Sequence, residues 1–104
     1  MKLPRVDPAA RLELLEATQR YLVDNPDVAS DFVDRVGSAL HSIAATPSRF
    51  PRIETVRTER EIRRVLLPRF PYIVVYEILN DEPYVLAVAH AHRRPGYWLE
   101  RKEE

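Results

Sequence analysis

Two dipeptides that end in proline mark the starts of two predicted helices in the first half of the chain. Asp7-Pro8 and Asn25-Pro26 each join a residue that caps helix N-termini to a proline suited to the first helical position. Apolar residues then recur at helical spacing, first to about Asp24 and then to about Ala45, and Thr46-Pro47 ends the second run. Because so short a link joins them, the two predicted helices should form an antiparallel hairpin.

The helical spacing also predicts which side of each helix is buried. On the first helix, Leu12, Leu15 and Leu22 form one apolar stripe, which we expect to face the core. This stripe is widened by Leu14, Ala17 and Tyr21. The acidic pairs of the two helices are spaced for the surface and are predicted to be solvated: Glu13 with Glu16, and Asp31 with Asp34.

The second half of the chain has strand-like patterning. A loop at residues 48–59 precedes three β-prone runs, at 62–67, 72–79 and 84–92, and residues 3–6 are predicted to add a short edge strand. The middle run is apolar apart from Glu77, which is typical of a central strand. We therefore predict an α+β fold of two layers, with the helical hairpin packed on a mainly antiparallel sheet, as one domain over residues 1–104.

Composition narrows the classes of function. The 104 residues include no cysteine, which excludes a disulfide framework, a thiolate nucleophile and a cysteine zinc site. The formal net charge of +0 argues against a protein that coats DNA, although seven arginines and three glutamates between Arg49 and Arg69 leave a local charge of +4. With no apolar run of membrane-spanning length and no signal-peptide pattern, we interpret the chain as cytoplasmic.

The chemically capable side chains gather after the last predicted strand. His92, Arg93 and Arg94 precede a Pro95-Gly96 break, and Tyr97 follows it. Histidine can transfer protons near neutral pH, and arginine binds phosphates and carboxylates. The structural alternatives are a packed His90, a Trp98 that anchors the C-terminus, and ion pairs from the arginines to Glu100, Glu103 or Glu104. His90 and His92 could also share a metal, but no third ligand is near in sequence.

Strand alternation assigns these residues to faces. On the last strand the smaller side chains are predicted to lie against the helices: Val85, Ala87, Ala89, Ala91 and Arg93. The other face carries Tyr84, Leu86, Val88, His90 and His92. Of Arg63 and Arg64, alternation places one toward the helix-covered face or a strand end. The other can join the terminal arginines in one positive groove.

The order of elements and two sequence segments resemble the RelE/ParE superfamily of type II toxin–antitoxin toxins, which includes small plasmid stabilisation proteins. The segments are RRVLLPRFPYIVVYEI and VLAVAHAHRRPGYW, and residues 92–98 are the most specific part. The resemblance covers essentially the whole chain. It implies a toxin neutralised by a cognate antitoxin, whose C-terminal segment covers an apolar groove along the helices and sheet. DNA contact would be made through the antitoxin.

Two activities occur in that superfamily, and the resemblance leaves both open. ParE-like members poison DNA gyrase, whereas RelE-like members cut mRNA in the ribosome without a metal. For the nuclease, the resemblance implies catalytic roles for Arg64, His92, Arg93 and Tyr97. Candidates for binding the target or a phosphate are Arg63, Arg69 and Arg94.

The long helical hairpin and the lack of lysine in the predicted sheet favour a ParE-like toxin. Lys2 and Lys102 are the two lysines of the chain, and both lie outside the predicted β-prone runs 62–67, 72–79 and 84–92. A third alternative is an inactive relative that retains only protein binding. No cofactor, metal or membrane partner is expected.

Overall fold

A computed structural model describes residues 2–103 and confirms the two-layer α+β fold. The elements are β1 (Arg5–Val6), α1 (Pro8–Asp24), α2 (Pro26–Ala45), β2 (Ile62–Leu66), β3 (Tyr72–Leu79) and β4 (Glu82–His90). The strand order in the sheet is β1-β4-β3-β2. β1 pairs parallel with β4, and the other pairs are antiparallel, so the sheet is a meander with one short added edge.

Both helices begin at the predicted capping pairs. The Asp7 side chain accepts a hydrogen bond from the N–H of Ala9, and the Asn25 side chain accepts one from the N–H of Asp27, each at 2.9 Å. Asn25 also ends α1, because its own N–H donates to the carbonyl of Tyr21 at 2.8 Å. One residue thus separates the helices and satisfies backbone groups of both, which enforces the hairpin. Neither helix in residues 2–103 is long and apolar enough to cross a membrane.

The face of α1 that packs on the sheet is not the predicted leucine stripe. The stripe is more than half exposed, at 56% for Leu12, 55% for Leu15 and 52% for Leu22. The buried side instead carries Ala10 and Ala17, both at 0% exposure, with Leu14 and Tyr21 beside them. The prediction was right for Leu14, Ala17 and Tyr21, which widen the stripe, and wrong for the leucines themselves, because α1 has apolar residues on two sides. The sheet takes the side with the small residues, which lets α1 lie close to β4.

A β-bulge at Leu86 reverses the sides of the sheet on which the following side chains of β4 lie. The register between β3 and β4 shifts by one residue there, so Leu86 is an extra residue with no partner of its own. Val85 and Val88 therefore both face the helices, whereas Ala87 and Ala89 face away from them. The predicted small-residue face against the helices was wrong, because regular alternation does not continue through a bulge.

Each side of the sheet has its own apolar cluster. We call the side covered by α1 and α2 the helix face, and the side covered in part by residues 95–101 the tail face. The helix-face cluster is the larger and is built around Phe32, Tyr72 and Val74. On the tail face, Trp98 is 1% exposed, which confirms its expected role as the anchor of the C-terminal segment.

A buried ion pair fixes two loops to the tail face. Glu77 is 3% exposed, and its carboxylate accepts hydrogen bonds from Arg60 at 2.9 and 2.8 Å. Arg60 also donates to the carbonyls of Leu99 and Arg101, at 2.6 and 3.0 Å. The hydrogen bond to Glu77 raises the pKa of the Arg60 guanidinium. The single charge in the apolar β3 run is thus the attachment point of both the loop before β2 and the C-terminal segment.

Candidate functional site

A pocket of about 240 Å³ opens on the tail face beside the end of β4. Its floor is one cross-strand row, formed by Leu66 of β2, Ile73 of β3 and Ala89 of β4. The walls come from residues 53 and 55 of the loop before β2, from His90 and Ala91 at the end of β4, and from residues 93–95, 97 and 98 of the C-terminal segment. Leu66 is 62% exposed, so part of the aliphatic floor is open to solvent.

Three arginines line this pocket. Arg64 reaches it from β2, and Arg93 and Arg94 reach it from the segment after β4. Within residues 2–103, no aspartate or glutamate is among the lining residues. Since guanidinium groups stay protonated, the pocket has an apolar floor and a positive rim. Four of the seven predicted site residues therefore meet here, the fourth being Tyr97.

Arg63 and Arg69 lie away from the pocket. Arg63 is opposite Tyr76 in the sheet and projects to the helix face, where it donates to the carbonyl of Phe50 at 2.5 Å and pairs with Glu61 at 3.0 Å. Arg69 is exposed in the turn between β2 and β3, with a positive φ of 71°. The positive groove predicted from alternation is thus formed by Arg64 and the terminal arginines, without Arg63.

His92 also lies outside the pocket lining. β4 ends at His90, two residues before the predicted end, and the N–H of Arg93 donates to the carbonyl of His90 at 3.0 Å in a turn. The ring of His90 packs edge-on against Tyr72 on the helix face, with centroids 5.1 Å apart, and the ring of His92 is 5.3 Å from it. Within residues 2–103, no group of three or more histidines and acids is placed to hold a metal ion.

Glu13 of α1 holds one wall of the pocket from the outer edge of β4. Its carboxylate accepts hydrogen bonds from the hydroxyl of Tyr97 at 2.5 Å, from Arg101 at 2.8 and 3.2 Å, and from the N–H of Val88 at 3.1 Å. Arg93 lies 3.5 Å from the same carboxylate. The Glu13 side chain is only 12% exposed, so the prediction that it is solvated was wrong.

The partners of the terminal arginines differ from the predicted ones. Arg93 pairs with Glu13 rather than with Glu100 or Glu103, and Glu103 pairs with Arg5. Glu104 lies outside the described residues. The C-terminal segment is therefore attached to α1 and β1 and not only folded back on itself.

Tyr97 is held as a neutral hydrogen-bond donor. Burial raises the pKa of its phenol, and the hydrogen bond to the Glu13 carboxylate raises it further. The guanidinium of Arg93 lies over the Tyr97 ring at 3.8 Å from the centroid, and that of Arg101 lies over it at 5.1 Å. In this setting the phenol can donate a proton or a hydrogen bond but does not act as a base near neutral pH.

The sequence reasoning missed Glu13 and Arg101 as parts of this site. Glu13 is three residues after Ala10 and four before Ala17, so it lies on the flank of the small-residue face of α1. Choosing that face as the buried one would have placed Glu13 beside the sheet. Arg101 carries no comparable signal, because its position depends on the path of an irregular segment.

The geometry favours binding of an anionic or apolar group over proton transfer. Metal-free cleavage of RNA requires a base for the 2′-hydroxyl, an acid for the leaving oxygen and positive charge at the phosphate. The pocket offers positive charge, a neutral phenol and His90, whose ring packs edge-on against Tyr72. The two histidines nearest to it, His90 and His92, have rings that lie beside each other, with His90 packed on the helix face.

Known proteins resemble this chain in both sequence and fold. The family model described as the ParE toxin of the type II toxin-antitoxin system, parDE, matches residues 5–95. A Sinorhizobium fredii protein named "Putative toxin Y4kP" is 35% identical over 71 residues, which are 68% of this chain and 69% of that protein. A solved structure titled "Chromosomal ParDE TA system from P. aeruginosa" has a TM-score of 0.70 at 15% identity, over 86% of this chain and 96% of the other.

Proposed function

This chain belongs to the ParE toxin family of type II toxin–antitoxin systems, and from that premise we propose that it arrests growth by poisoning DNA gyrase. The family match over residues 5–95 is the observation that carries the proposal. We assign the activity to one domain over residues 1–104 that acts in the cytoplasm. A cognate antitoxin would neutralise it.

The pocket supports inhibition by binding rather than by RNA cleavage. Of the residues that the nuclease alternative requires, His92 does not line the pocket. Tyr97 is a neutral donor to Glu13, and Arg93 lies over its ring beside the same carboxylate. These contacts occupy the groups that would have to move protons, whereas a gyrase poison needs only a complementary surface.

The exposed side of the hairpin is the surface we assign to the antitoxin. Leu12, Leu15 and Leu22 share one side of α1, and Val23 beside them is 87% exposed. Exposed apolar residues that cluster on one face mark interaction surfaces in soluble proteins. The antitoxin would also supply the DNA contact of the complex, since the chain itself has a formal net charge of +0.

The decisive experiment measures gyrase and transcripts with the same protein. The purified chain should inhibit DNA supercoiling by gyrase, and inducible expression should arrest growth without cutting transcripts. Tyr97→Phe, which keeps the ring and removes the hydroxyl, and His92→Ala should both retain gyrase inhibition. Transcript cleavage that is lost in Tyr97→Phe, with gyrase unaffected, would instead identify the RelE-like nuclease.

Growth assays distinguish an active toxin from the third alternative, an inactive relative. An inactive relative would bind the antitoxin but cause no growth arrest in hosts that lack it. The folded state of the purified chain, checked by circular dichroism, is the control for that result.

A further inference from the structure

We propose that the arginine-lined pocket on the tail face docks an acidic segment of the toxin's protein target. One large apolar side chain of that segment would enter the pocket, and carboxylates on either side of it in the segment would pair with Arg64 and Arg94. The inference rests on the proposed function, because it names the chemistry by which the toxin recognises its target.

The floor of the pocket fits an apolar anchor. Leu66, Ile73 and Ala89 form an aliphatic row across three strands, and the volume of about 240 Å³ accommodates one large apolar side chain. Leu66 is 62% exposed although it lies beside a packed cluster. Interfaces concentrate their affinity in such pockets, where a buried side chain of the partner excludes water.

The rim of the pocket fits carboxylates. Arg64, Arg93 and Arg94 line the pocket, and within residues 2–103 no acidic side chain does. Arg93 pairs with Glu13, but none of the ion pairs found among residues 2–103 involves Arg64 or Arg94. Two arginines are thus available for bidentate pairing with carboxylates, which complements an acidic partner.

The aromatic residues argue for a peptide over a single-stranded nucleic acid. Proteins that bind single strands stack the bases on exposed aromatic rings. Here Trp98 is 1% exposed, and the Tyr97 ring lies under the guanidinium of Arg93 at 3.8 Å. The exposed part of the floor is aliphatic, which suits a leucine or phenylalanine side chain better than a base.

A titration followed by NMR tests the ligand chemistry directly. The probe is a blocked pentapeptide with a central leucine between two aspartates and two glutamates, added to the ¹⁵N-labelled chain. We expect shifts at the amides of Ile73, Ala89 and their neighbours, and roughly tenfold weaker binding of the same peptide with a central serine. Equal binding of both peptides, or shifts at these amides with a single-stranded octanucleotide RNA but not with the peptide, would overturn the proposal.

A matched pair of variants tests whether the pocket meets the target. Leu66→Asp places a carboxylate on the pocket floor. Leu3→Asp makes the same change at a residue that is 43% exposed and precedes β1, which pairs with the start of β4 and not with its end. The concentration for half-inhibition of gyrase should rise by about tenfold or more for Leu66→Asp and stay unchanged for Leu3→Asp. Arg94→Glu should raise it as well, whereas Arg11→Glu on α1 should not.

The possible results distinguish the two proposals. If the wild-type chain leaves gyrase unaffected, the proposed function fails, and the peptide titration alone decides the ligand of the pocket. If the wild-type chain and Leu66→Asp inhibit gyrase equally, the proposed function stands and the docking proposal is overturned. Loss of antitoxin binding in Leu66→Asp with gyrase inhibition retained would also overturn it, because the occupant would then be the antitoxin.

Discussion

The two faces of this sheet are held by different kinds of interaction. On the helix face, aromatic rings of α1, α2, β3 and the turn before β3 pack together. Five ring pairs among Tyr21, Phe32, Phe70 and Tyr72 have centroids 5.1–6.3 Å apart. On the tail face, an irregular segment is held by Trp98 and by two charged contacts, Arg60 with Glu77 and Arg101 with Glu13.

This difference explains where the molecule can offer a site. Two helices pack closely over the centre of the helix face of the sheet. The tail segment covers only part of the opposite face, and the uncovered part is the arginine-lined pocket. The polar contacts hold the segment in a fixed position, so a short irregular chain can form one wall of a pocket.

The largest expected losses of stability come from truncating the central aromatic residue of each face. Phe32→Ala removes the central ring of the helix face, and Trp98→Ala removes that of the tail face; both residues are at or below 1% exposure. We expect each substitution to lower the free energy of unfolding by about 3–5 kcal/mol, because each leaves a cavity. Denaturant unfolding measures both values. A loss below about 1 kcal/mol for Trp98→Ala would mean that the tail segment adds little to the fold.

The next largest effect should come from the charged contacts of the tail face. Glu13→Ala leaves Arg101, Tyr97 and the N–H of Val88 without their acceptor. Since removing one member of a mostly buried pair strands the other, we expect a loss of about 3 kcal/mol in unfolding free energy. Glu16→Ala, on the exposed side of the same helix, should stay within about 0.5 kcal/mol. Equal effects of the two substitutions would show that Glu13 is an ordinary surface residue.

The tyrosines of the tail face predict a specific loss of stability in alkali. Burial and then the hydrogen bond to Asp7 raise the pKa of Tyr84 from 10.0 to about 12, and Tyr97 shifts in the same direction. The unfolded chain therefore releases these protons first. Their contribution is complete below pH 10 and is lost as the pH rises toward the folded pKa.

Unfolding at a series of pH values checks this prediction. The free energy of unfolding should fall above pH 10 in the wild type, and more gently in Tyr84→Phe and Tyr97→Phe. Tyr97→Phe should itself cost about 1 kcal/mol at neutral pH, the value of one hydrogen bond. If the free energy of unfolding fell with pH as steeply in both variants as in the wild type, these two tyrosines would not be the cause of the alkaline loss.

The smallest effects on stability are expected at two exposed leucines, one on the solvent side of α1 and one in the pocket. Leu12→Asp on α1 and Leu66→Asp in the pocket alter residues that are 56% and 62% exposed. Each should change the free energy of unfolding by no more than about 0.5 kcal/mol, as is usual for surface positions. A large loss at either position, measured by thermal unfolding, would show that the leucine supports the fold and is not reserved for a partner.

Local signals in the sequence were sufficient for most of the fold. The helix boundaries follow from Asp7-Pro8 and Asn25-Pro26, whose caps involve residues no more than four positions away. The strand run at Tyr72–Leu79 is also evident from its apolar β-branched residues. Features that depend on how distant elements meet were missed, namely the buried side of α1 and the bulge at Leu86.

The site was predictable to a similar extent and for the same reason. Arg64, Arg93, Arg94 and Tyr97 meet because strand direction and alternation bring them to one corner of one face. His92 was misplaced because β4 ends at His90, and no local pattern marked that end. The part played by Glu13 required the side of α1 that faces the sheet, which the leucine stripe obscured.

The outer edge of β4 has a consequence for how the protein behaves at high concentration. β1 covers this edge only at Tyr84 and Val85. Beyond that point, Glu13 accepts the N–H of Val88 and Arg101 donates to the carbonyl of Leu86 at 3.0 Å. Two side chains thus take the hydrogen bonds that a strand from another molecule would need in order to extend the sheet. Glu13 and Arg101 therefore protect the free toxin against edge-to-edge aggregation.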